Sequence, residues 1–384
     1  MSHRLAIMRF LLAGIVGFCA VNPVEATTPA NSSPVPFERF IGPDDCPGND
    51  QFADPYVLKQ DDAWYITSTY LVGRPMYMFK TTDWKTKTRI SLSIDLNPDY
   101  LRAYFKTHTI TPQGIWGFVP YRQPSGRWHA YGSVSIGGFN TFICHFSALT
   151  SDWPITQWRL DKVLLGDLTK SPYESKVYID ETGGYFFYVD RLPDGNNHVM
   201  VRKLRAPDEI DPAFPPRPVL SPEGLASEFR NGSAGMQLCE GTNIMKLTTK
   251  DGPKYVMLYT VGDFAQNNYK LGVAYSNTLV PPIGKYYEKP KARDPAGIWG
   301  HPETPGEIVY LLQSEKPHWP NFCASQVSGP GLGNLVSYLG ACHLIFHAHN
   351  PGQTSGGGQG RWVWRCPIIL SFKKPMTEWL KPVL

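Results

Sequence analysis

One hairpin-like unit recurs five times along this chain, and a repeated unit restricts the possible folds more than any other feature of the sequence. In each copy an extended segment leads to a polar or glycine-containing turn and continues into a second segment rich in aromatic and β-branched residues. The copies span residues 55–70, 118–134, 175–190, 241–262 and 334–349. Successive turns are roughly 55 to 90 residues apart, which leaves room for two further strands per unit, as in the four-stranded blades of a propeller.

The sequence therefore predicts an all-β protein, a five-bladed β-propeller that forms a single domain over residues 37–384. An irregular β-sandwich with five similar hairpins is the competing fold. One short helical segment is predicted near residues 98–106. Residues 27–36 are predicted to be a flexible tail, and residues 1–26, with a basic start and an apolar stretch, to be a signal peptide. The mature protein is accordingly expected to be secreted.

Six cysteines follow the predicted signal peptide, and their spacing matches no zinc-binding pattern. Three disulfides are expected in an exported protein, and six buried thiols are the alternative. The six residues are Cys46, Cys144, Cys239, Cys323, Cys342 and Cys366. Sequons at Asn31 and Asn231 allow for glycosylation in a eukaryotic host.

The charge pattern excludes some classes of partner. The net charge is only +4 over 384 residues, and no run of basic residues could follow a phosphate backbone, so nucleic acid is not expected as a partner. No later segment is long and apolar enough to span a membrane. An aromatic content of 13% could supply faces for stacking on sugars, and a monomer is expected.

Carboxylates recur just ahead of three of the hairpins, at Asp54, Glu174 and Glu240, and Trp116 stands at the comparable place in the second copy. In a propeller the innermost strand of each blade lines the central channel, so these residues would meet at one mouth of it. Hydrolysis of a glycosidic bond needs one carboxylate to activate water and a second carboxyl group to protonate the departing oxygen. If the three acids share one pocket, their interactions would also shift their pKa values away from one another.

These motifs resemble those of glycoside hydrolase family 43. The stretch Ala-Asp-Pro at residues 53–55 resembles the first-blade motif of the family, and residues 115–119 resemble its second-blade motif. Glu174 stands six residues before Asp180, the spacing of the third-blade motif, and Glu-Gly at residues 240–241 resembles the fourth-blade motif. The resemblance implies that Asp54 is the general base, Glu240 the general acid and Glu174 the residue that tunes the acid.

The resemblance also implies a substrate: arabinan, arabinoxylan, xylan or galactan, cleaved with inversion of configuration. Trp116 and Arg361 would contact the sugar, although a surface salt bridge is an alternative role for Arg361. The sequence departs from the family pattern where Glu174 replaces Asp, where Thr242 replaces Pro, and where Leu332 replaces the His that follows Gly-Pro-Gly. In the family that His often accompanies a metal in the channel.

No cofactor is required by this interpretation, and a channel cation such as calcium is an additional option. His347 and His349 lie two apart on a predicted strand and could form a metal pair, but structural roles are favoured because no carboxylate is nearby in sequence. Two other functions stay open. They are a carbohydrate-binding propeller that has lost catalysis, and a fructan hydrolase similar to family 32, whose motifs match less well.

Overall fold

The computed structural model describes residues 38–107, 109–137, 140–180, 182–225, 228–230, 236–249, 252–291, 308, 310–312, 327–338, 341–350, 353, 360–370 and 380–382. The predicted signal peptide, the tail of residues 27–36 and both sequons lie outside the described residues. No helix in the described part of the chain is long and apolar enough to cross a membrane.

The described chain consists mainly of β-strands, with one 3₁₀ turn at Pro43–Asp45 and helix α1 at Pro98–Phe105. The strands, in chain order, are β1 Glu38–Ile41, β2 Tyr56–Gln60, β3 Ala63–Thr67, β4 Tyr70–Leu71, β5 Met76–Thr81, β6 Thr88–Asp95, β7 Gly114–Arg122, β8 Trp128–Ser135, β9 Thr141–Ala148, β10 Gln157–Leu165, β11 Tyr173–Asp180, β12 Gly183–Arg191, β13 Asn197–Ala206, β14 Glu209–Ile210, β15 Arg217–Leu220, β16 Glu240–Thr249, β17 Gly252–Val261, β18 Lys270–Ser276, β19 Tyr310–Leu312, β20 Ser328–Tyr338, β21 Ala341–His349, β22 Trp362–Leu370 and β23 Leu380–Pro382.

These strands form four sheets in the described part of the chain. The largest has the order β2-β3-β5-β6-β10-β9-β8-β7-β4 and contains two antiparallel groups joined by parallel pairing of β6 with β10. The next two sheets follow the orders β11-β12-β13-β14, with β15 beside β13, and β16-β17-β18-β19. The fourth has the order β1-β22-β21-β20, with β23 beside β22, so strands from the two ends of the chain pair in one sheet.

All five predicted hairpins are present as antiparallel pairs, namely β2 with β3, β7 with β8, β11 with β12, β16 with β17 and β20 with β21. The all-β propeller class is confirmed, and the number of blades stays a prediction. Helix α1 also lies where the sequence predicted one. It begins after Asn97, whose side chain accepts a hydrogen bond from the backbone N–H of Tyr100 at 3.4 Å, and Pro98 occupies its first turn.

A backbone irregularity recurs at the start of the first strand of every hairpin. One residue there has a positive φ, a conformation uncommon outside glycine. The residues and angles are Asp54 (54°), Gly117 (64°), Glu174 (50°), Gly241 (71°) and Leu332 (51°). In β7, β11, β16 and β20 this residue and the next one fall in a β-bulge. A bulge changes the direction in which the neighbouring side chains point. The first residues of these hairpins are therefore expected to point in equivalent directions.

The cysteines do not follow the expected disulfide pattern. Cys46, Cys144 and Cys239 are all buried and unpaired. Burial raises the pKa of the Cys46 and Cys239 thiols to about 12, so both stay protonated at neutral pH. The three-disulfide arrangement, which requires all six cysteines, is therefore wrong. The side chains of Cys323, Cys342 and Cys366 lie outside the described residues.

Candidate active site

Asp54 is held in place by hydrogen bonds with two other parts of the chain. Its backbone N–H donates to Nδ1 of His347 at 2.9 Å, and the hydroxyl of Thr69 donates to its Oδ2. Thr69 in turn accepts a hydrogen bond from the N–H of Gly117 at 3.1 Å. Because Nδ1 of His347 accepts this bond, the imidazole is neutral, and burial together with nearby Arg361 and His349 holds its pKa well below the usual range.

Glu240 is 6% exposed, and two phenols hold its carboxylate. Tyr173 donates to Oε2 at 2.7 Å, and Tyr269 donates to Oε1. The Tyr173 hydroxyl also accepts a hydrogen bond from Nδ2 of Asn197 at 2.8 Å. One donor for each oxygen fixes the plane of the carboxyl group.

Glu174 lies directly beside Glu240. Its Oε2 accepts a hydrogen bond from the backbone N–H of Gly241, the residue that follows Glu240. The extra methylene of Glu relative to Asp is therefore accommodated, because the carboxyl group still reaches the fourth hairpin from its positive-φ position.

The three acids influence one another's ionisation. Burial and the charges of Glu240 and Asp54 raise the pKa of Glu174 well above its usual value. Burial also raises the pKa of Glu240, while Tyr269, Arg230 and Tyr173 oppose the rise and Asp54 adds to it. For Asp54 burial raises the pKa, and Thr69, Lys176 and Arg361 counter it. The Glu174 and Glu240 pair therefore retains a proton to higher pH than an isolated carboxyl group.

The two residues predicted to contact substrate lie in different surroundings. Trp116 is half-buried, with its ring centroid 6.4 Å from that of Tyr173 in an edge-on arrangement. Arg361 is only 1% exposed, so it forms no surface salt bridge. Its guanidinium group lies 4.9 Å from the ring centroid of Tyr269 and donates to the carbonyl oxygens of Gly329 and Phe264. These contacts brace Tyr269, and through it Glu240, while direct contact of Arg361 with a sugar stays a prediction.

Solved structures with the same fold are available for comparison. The chain is similar to a thermostable family-43 glycoside hydrolase (TM-score 0.60, 18% identity, covering 86% of this chain and 92% of that one). It is also similar to an alpha-L-arabinofuranosidase from Lactobacillus brevis (TM-score 0.60, 14% identity, 87% and 94% covered) and to a Cellvibrio cellulosa alpha-L-arabinanase complexed with arabinohexaose (TM-score 0.60, 14% identity, 86% and 95% covered). The chain has the fold of family-43 glycoside hydrolases. No protein-family model and no curated protein sequence matches it.

A channel metal, which the family-43 fold raises as an option, finds no donor set among the described residues. No group of three or more His, Cys, Asp or Glu side chains in that part of the chain could hold a metal ion. At the position where the family motif carries His, the apolar Leu332 is 5% exposed and packs against Gly241. The neighbouring His347 uses Nδ1 to bind the backbone of Asp54. Within the described residues no donor set for such a metal is present, and a channel cation stays a prediction.

Several residues that complete this site within the family-43 fold were missed in the sequence. Tyr173 stands next to Glu174, but a tyrosine beside an acid is common in strands and carries no signal alone. Tyr269 and Thr69 come from other parts of their hairpin units, 29 and 15 residues from the acids that they contact. Lys176 follows Glu174 by two residues, and only an alignment of the five positive-φ positions would have placed it in the site.

A buried ion pair stabilises the segment that precedes Glu240. Nζ of Lys289 lies 2.5 Å from Oε1 of Glu228, and both side chains are fully buried. The ammonium group also donates to the carbonyl oxygen of Ser221 at 2.8 Å and to Sγ of Cys239 at 3.4 Å. The backbone of Glu228 accepts the N–H of Leu238 at 2.8 Å, so this pair is tied to the two residues ahead of Glu240.

Lys289→Met is expected to lower the free energy of unfolding by about 3 kcal/mol, because it leaves a buried carboxylate without its partner. Chemical denaturation monitored by tryptophan fluorescence measures the change. Lys291→Met is the matched control, since Lys291 pairs with Glu223 at 2.8 Å in a partly exposed position and should cost less than about 1 kcal/mol. Equal and small losses in both variants would contradict this account of the buried pair.

Proposed function

We propose that this chain is a secreted glycoside hydrolase that cleaves O-glycosidic bonds of a plant- or microbial-type polysaccharide with inversion of configuration. The observation that carries the proposal is the convergence of Asp54, Glu174 and Glu240, which come from three hairpins and interact in one partly buried site. The shared fold with family-43 glycoside hydrolases supports it. Secretion is proposed on the signal-like start of the sequence.

In this proposal Asp54 is the general base. Its carboxylate accepts a proton from a water molecule as the water oxygen attacks the anomeric carbon. The hydrogen bond from Thr69, and the charges of Lys176 and Arg361, favour the ionised form that the base requires. His347 positions the backbone of Asp54.

Glu240 is the general acid of the proposal. It donates its proton to the leaving oxygen as the bond between that oxygen and the anomeric carbon breaks. Burial and like charge keep a proton on the Glu174 and Glu240 pair, so Glu174 tunes the acid through its proximity. Tyr173 and Tyr269 fix the direction in which the acid delivers its proton.

The proposed substrates are arabinan, arabinoxylan, xylan and galactan. Structures of the same fold include an arabinanase, an arabinofuranosidase and a xylan beta-1,4-xylosidase, as their names state. Trp116 is the proposed stacking surface for a sugar ring, because it is half-buried beside Tyr173, a partner of Glu240.

Sugar release from a panel of these polysaccharides, assayed with the purified protein, tests the function. Release of reducing ends from at least one of them is expected. Retention on a polysaccharide without release would instead support a binding protein that has lost catalysis. Release from fructan alone would favour the alternative with family-32 activity.

Tyr269→Phe is expected to move the basic limb of the kcat/KM profile to higher pH. The variant keeps the ring that Arg361 stacks on but removes a hydrogen-bond donor to the Glu240 carboxylate, so the pKa of Glu240 rises and the acid keeps its proton longer. A pH series of kcat/KM on the substrate found in the panel measures the shift.

The matched control is Tyr259→Phe in the same hairpin unit. Tyr259 is buried, and its hydroxyl has no hydrogen-bond partner in the described part of the chain, so its loss should leave the limb in place. A shift of the basic limb of the kcat/KM profile to lower pH in Tyr269→Phe, or an equal shift in both variants, would refute the proposed role of Tyr269.

A further inference from the structure

The five hairpins share a second equivalent position, two residues after the positive-φ residue. It is occupied by Tyr56, Val119, Lys176, Asn243 and Asn334. Side chains at this position meet across different hairpins. Nζ of Lys176 lies 5.1 Å from the ring centroid of Tyr56, and Nδ2 of Asn243 donates to Oδ1 of Asn334 at 3.2 Å. Residues at this position therefore meet in pairs across four of the five hairpins, and we refer to the five positions together as the ring.

Lys176 is the one basic residue in this ring. Among the residues that the structure describes, its Nζ has no hydrogen-bond partner and no ion-pair partner within 4.0 Å. It contacts the face of the Tyr56 ring instead. Asp54 is two residues before Tyr56, and Glu174 is two residues before Lys176 itself. The ammonium group therefore lies against the strand that follows Asp54 and belongs to the strand that carries Glu174, and it is paired to neither carboxyl group.

We propose that Lys176 is a built-in cation of the acid pocket, which favours the ionised form of Asp54. A positive charge close to a carboxyl group in a buried site stabilises the carboxylate, and the effect is stronger where water is largely excluded. The ionisation of the acids agrees in direction, since the charge of Lys176 lowers the pKa of both Asp54 and Glu174.

The other groups around Asp54 are neutral, acidic or engaged in other contacts. His347 is neutral, and Thr69 contributes a hydrogen bond but no charge. Arg361 is a second cation near Asp54, but its guanidinium group is bonded to two carbonyl oxygens and stacked on Tyr269, so it is shared with the Glu240 side of the pocket. Glu174 and Glu240 are acids, and Tyr56 presents its ring face to the ammonium group.

The charge of Lys176 depends on a balance. Burial lowers the pKa of the lysine below its usual value, and the charges of Glu174 and Asp54 oppose this fall only in part. The proposal therefore requires Lys176 to be protonated at the pH at which Asp54 is ionised. A carbon-13 NMR titration of the lysine ε-carbons in the wild-type protein measures this, and a Lys176 that is neutral at pH 7 would overturn the proposal.

The closing experiment follows the Asp54 carboxyl carbon by NMR in protein labelled at aspartate, with Asp54→Asn used to assign the signal. Lys176→Met is expected to move the Asp54 titration midpoint to higher pH, and Lys176→Arg to keep it close to that of the wild type. Lys59→Met is the matched control, because the exposed Lys59 also contacts an aromatic ring, that of Trp64 at 5.5 Å. An unchanged midpoint in Lys176→Met, or an equal shift in Lys59→Met, would overturn the proposal.

A kinetic consequence rests on the proposed function, whereas the NMR titration does not. In Lys176→Met the acidic limb of kcat/KM should move to higher pH, because a larger share of Asp54 is protonated at any given acidic pH. A wild-type protein without hydrolase activity would refute the proposed function and still leave the NMR result to decide on Lys176.

Discussion

Asp54→Asn is expected to reduce hydrolysis of every glycoside substrate by about 10²- to 10⁴-fold, the range typical of a positioned proton-transfer group. The amide has nearly the shape of the carboxylate, but it cannot accept a proton from the attacking water. The backbone N–H of residue 54 still donates to His347, so the local backbone should persist. The loss should extend to activated aryl glycosides, since water needs its base whichever group departs.

Initial rates on a polysaccharide and on an aryl glycoside measure this loss. Asp61→Asn is the matched control, since Asp61 also has a positive φ, of 53°, but lies exposed in the hairpin turn of the same unit. The control should retain nearly full activity. Polysaccharide activity of Asp54→Asn within about tenfold of the wild type would refute its assignment as the general base.

Glu240→Gln is expected to abolish polysaccharide cleavage while it spares much more of the activity on an activated aryl glycoside. A sugar hydroxyl departs poorly without a proton, whereas a nitrophenolate departs readily as the anion. The glutamine side chain still offers an oxygen to one of the two tyrosines that hold Glu240. The substrate-dependent loss therefore reports on proton donation rather than on the shape of the pocket.

The ratio of polysaccharide activity to aryl-glycoside activity decides the role of Glu240. Glu223→Gln serves as the control, because Glu223 pairs with Lys291 at a partly exposed position. It should lower both activities slightly and equally. Equal damage to both substrates in Glu240→Gln would mean that this carboxyl group supports the fold and does not act as the acid.

Much of this architecture was predictable because position in a repeat translates into position in space. The hairpin turns carry local signals, such as Gln-Asp-Asp at residues 60–62, and all five hairpins were found. Asp54 and Glu174 share the same positive-φ position ahead of their hairpins, which is why the spacing of two weak motifs placed them together. Glu240 stands one residue ahead of that position, and its hydrogen bonds come from tyrosines outside the motif.

The surroundings of the acids were not predictable, because they depend on side-chain burial and on contacts between distant segments. A surface salt bridge was the alternative role predicted for Arg361, yet its guanidinium group donates to the carbonyl oxygens of Gly329 and Phe264 in the interior. The cysteine count suggested disulfides, but pairing requires Cβ atoms about 4 Å apart, a geometry that sequence spacing does not encode. Lys176 lies two residues after Glu174 in the sequence, but it belongs to no motif that would have indicated a role in the site.

The anomeric configuration of the first product tests the central claim most directly. Proton NMR spectra are recorded during the first minutes of hydrolysis of the substrate found in the panel, before the released sugar mutarotates. If Asp54 activates water on the face opposite the leaving oxygen and Glu240 protonates that oxygen, the inverted anomer should appear first. Appearance of the retained anomer, or no sugar release from any polysaccharide, would contradict the account.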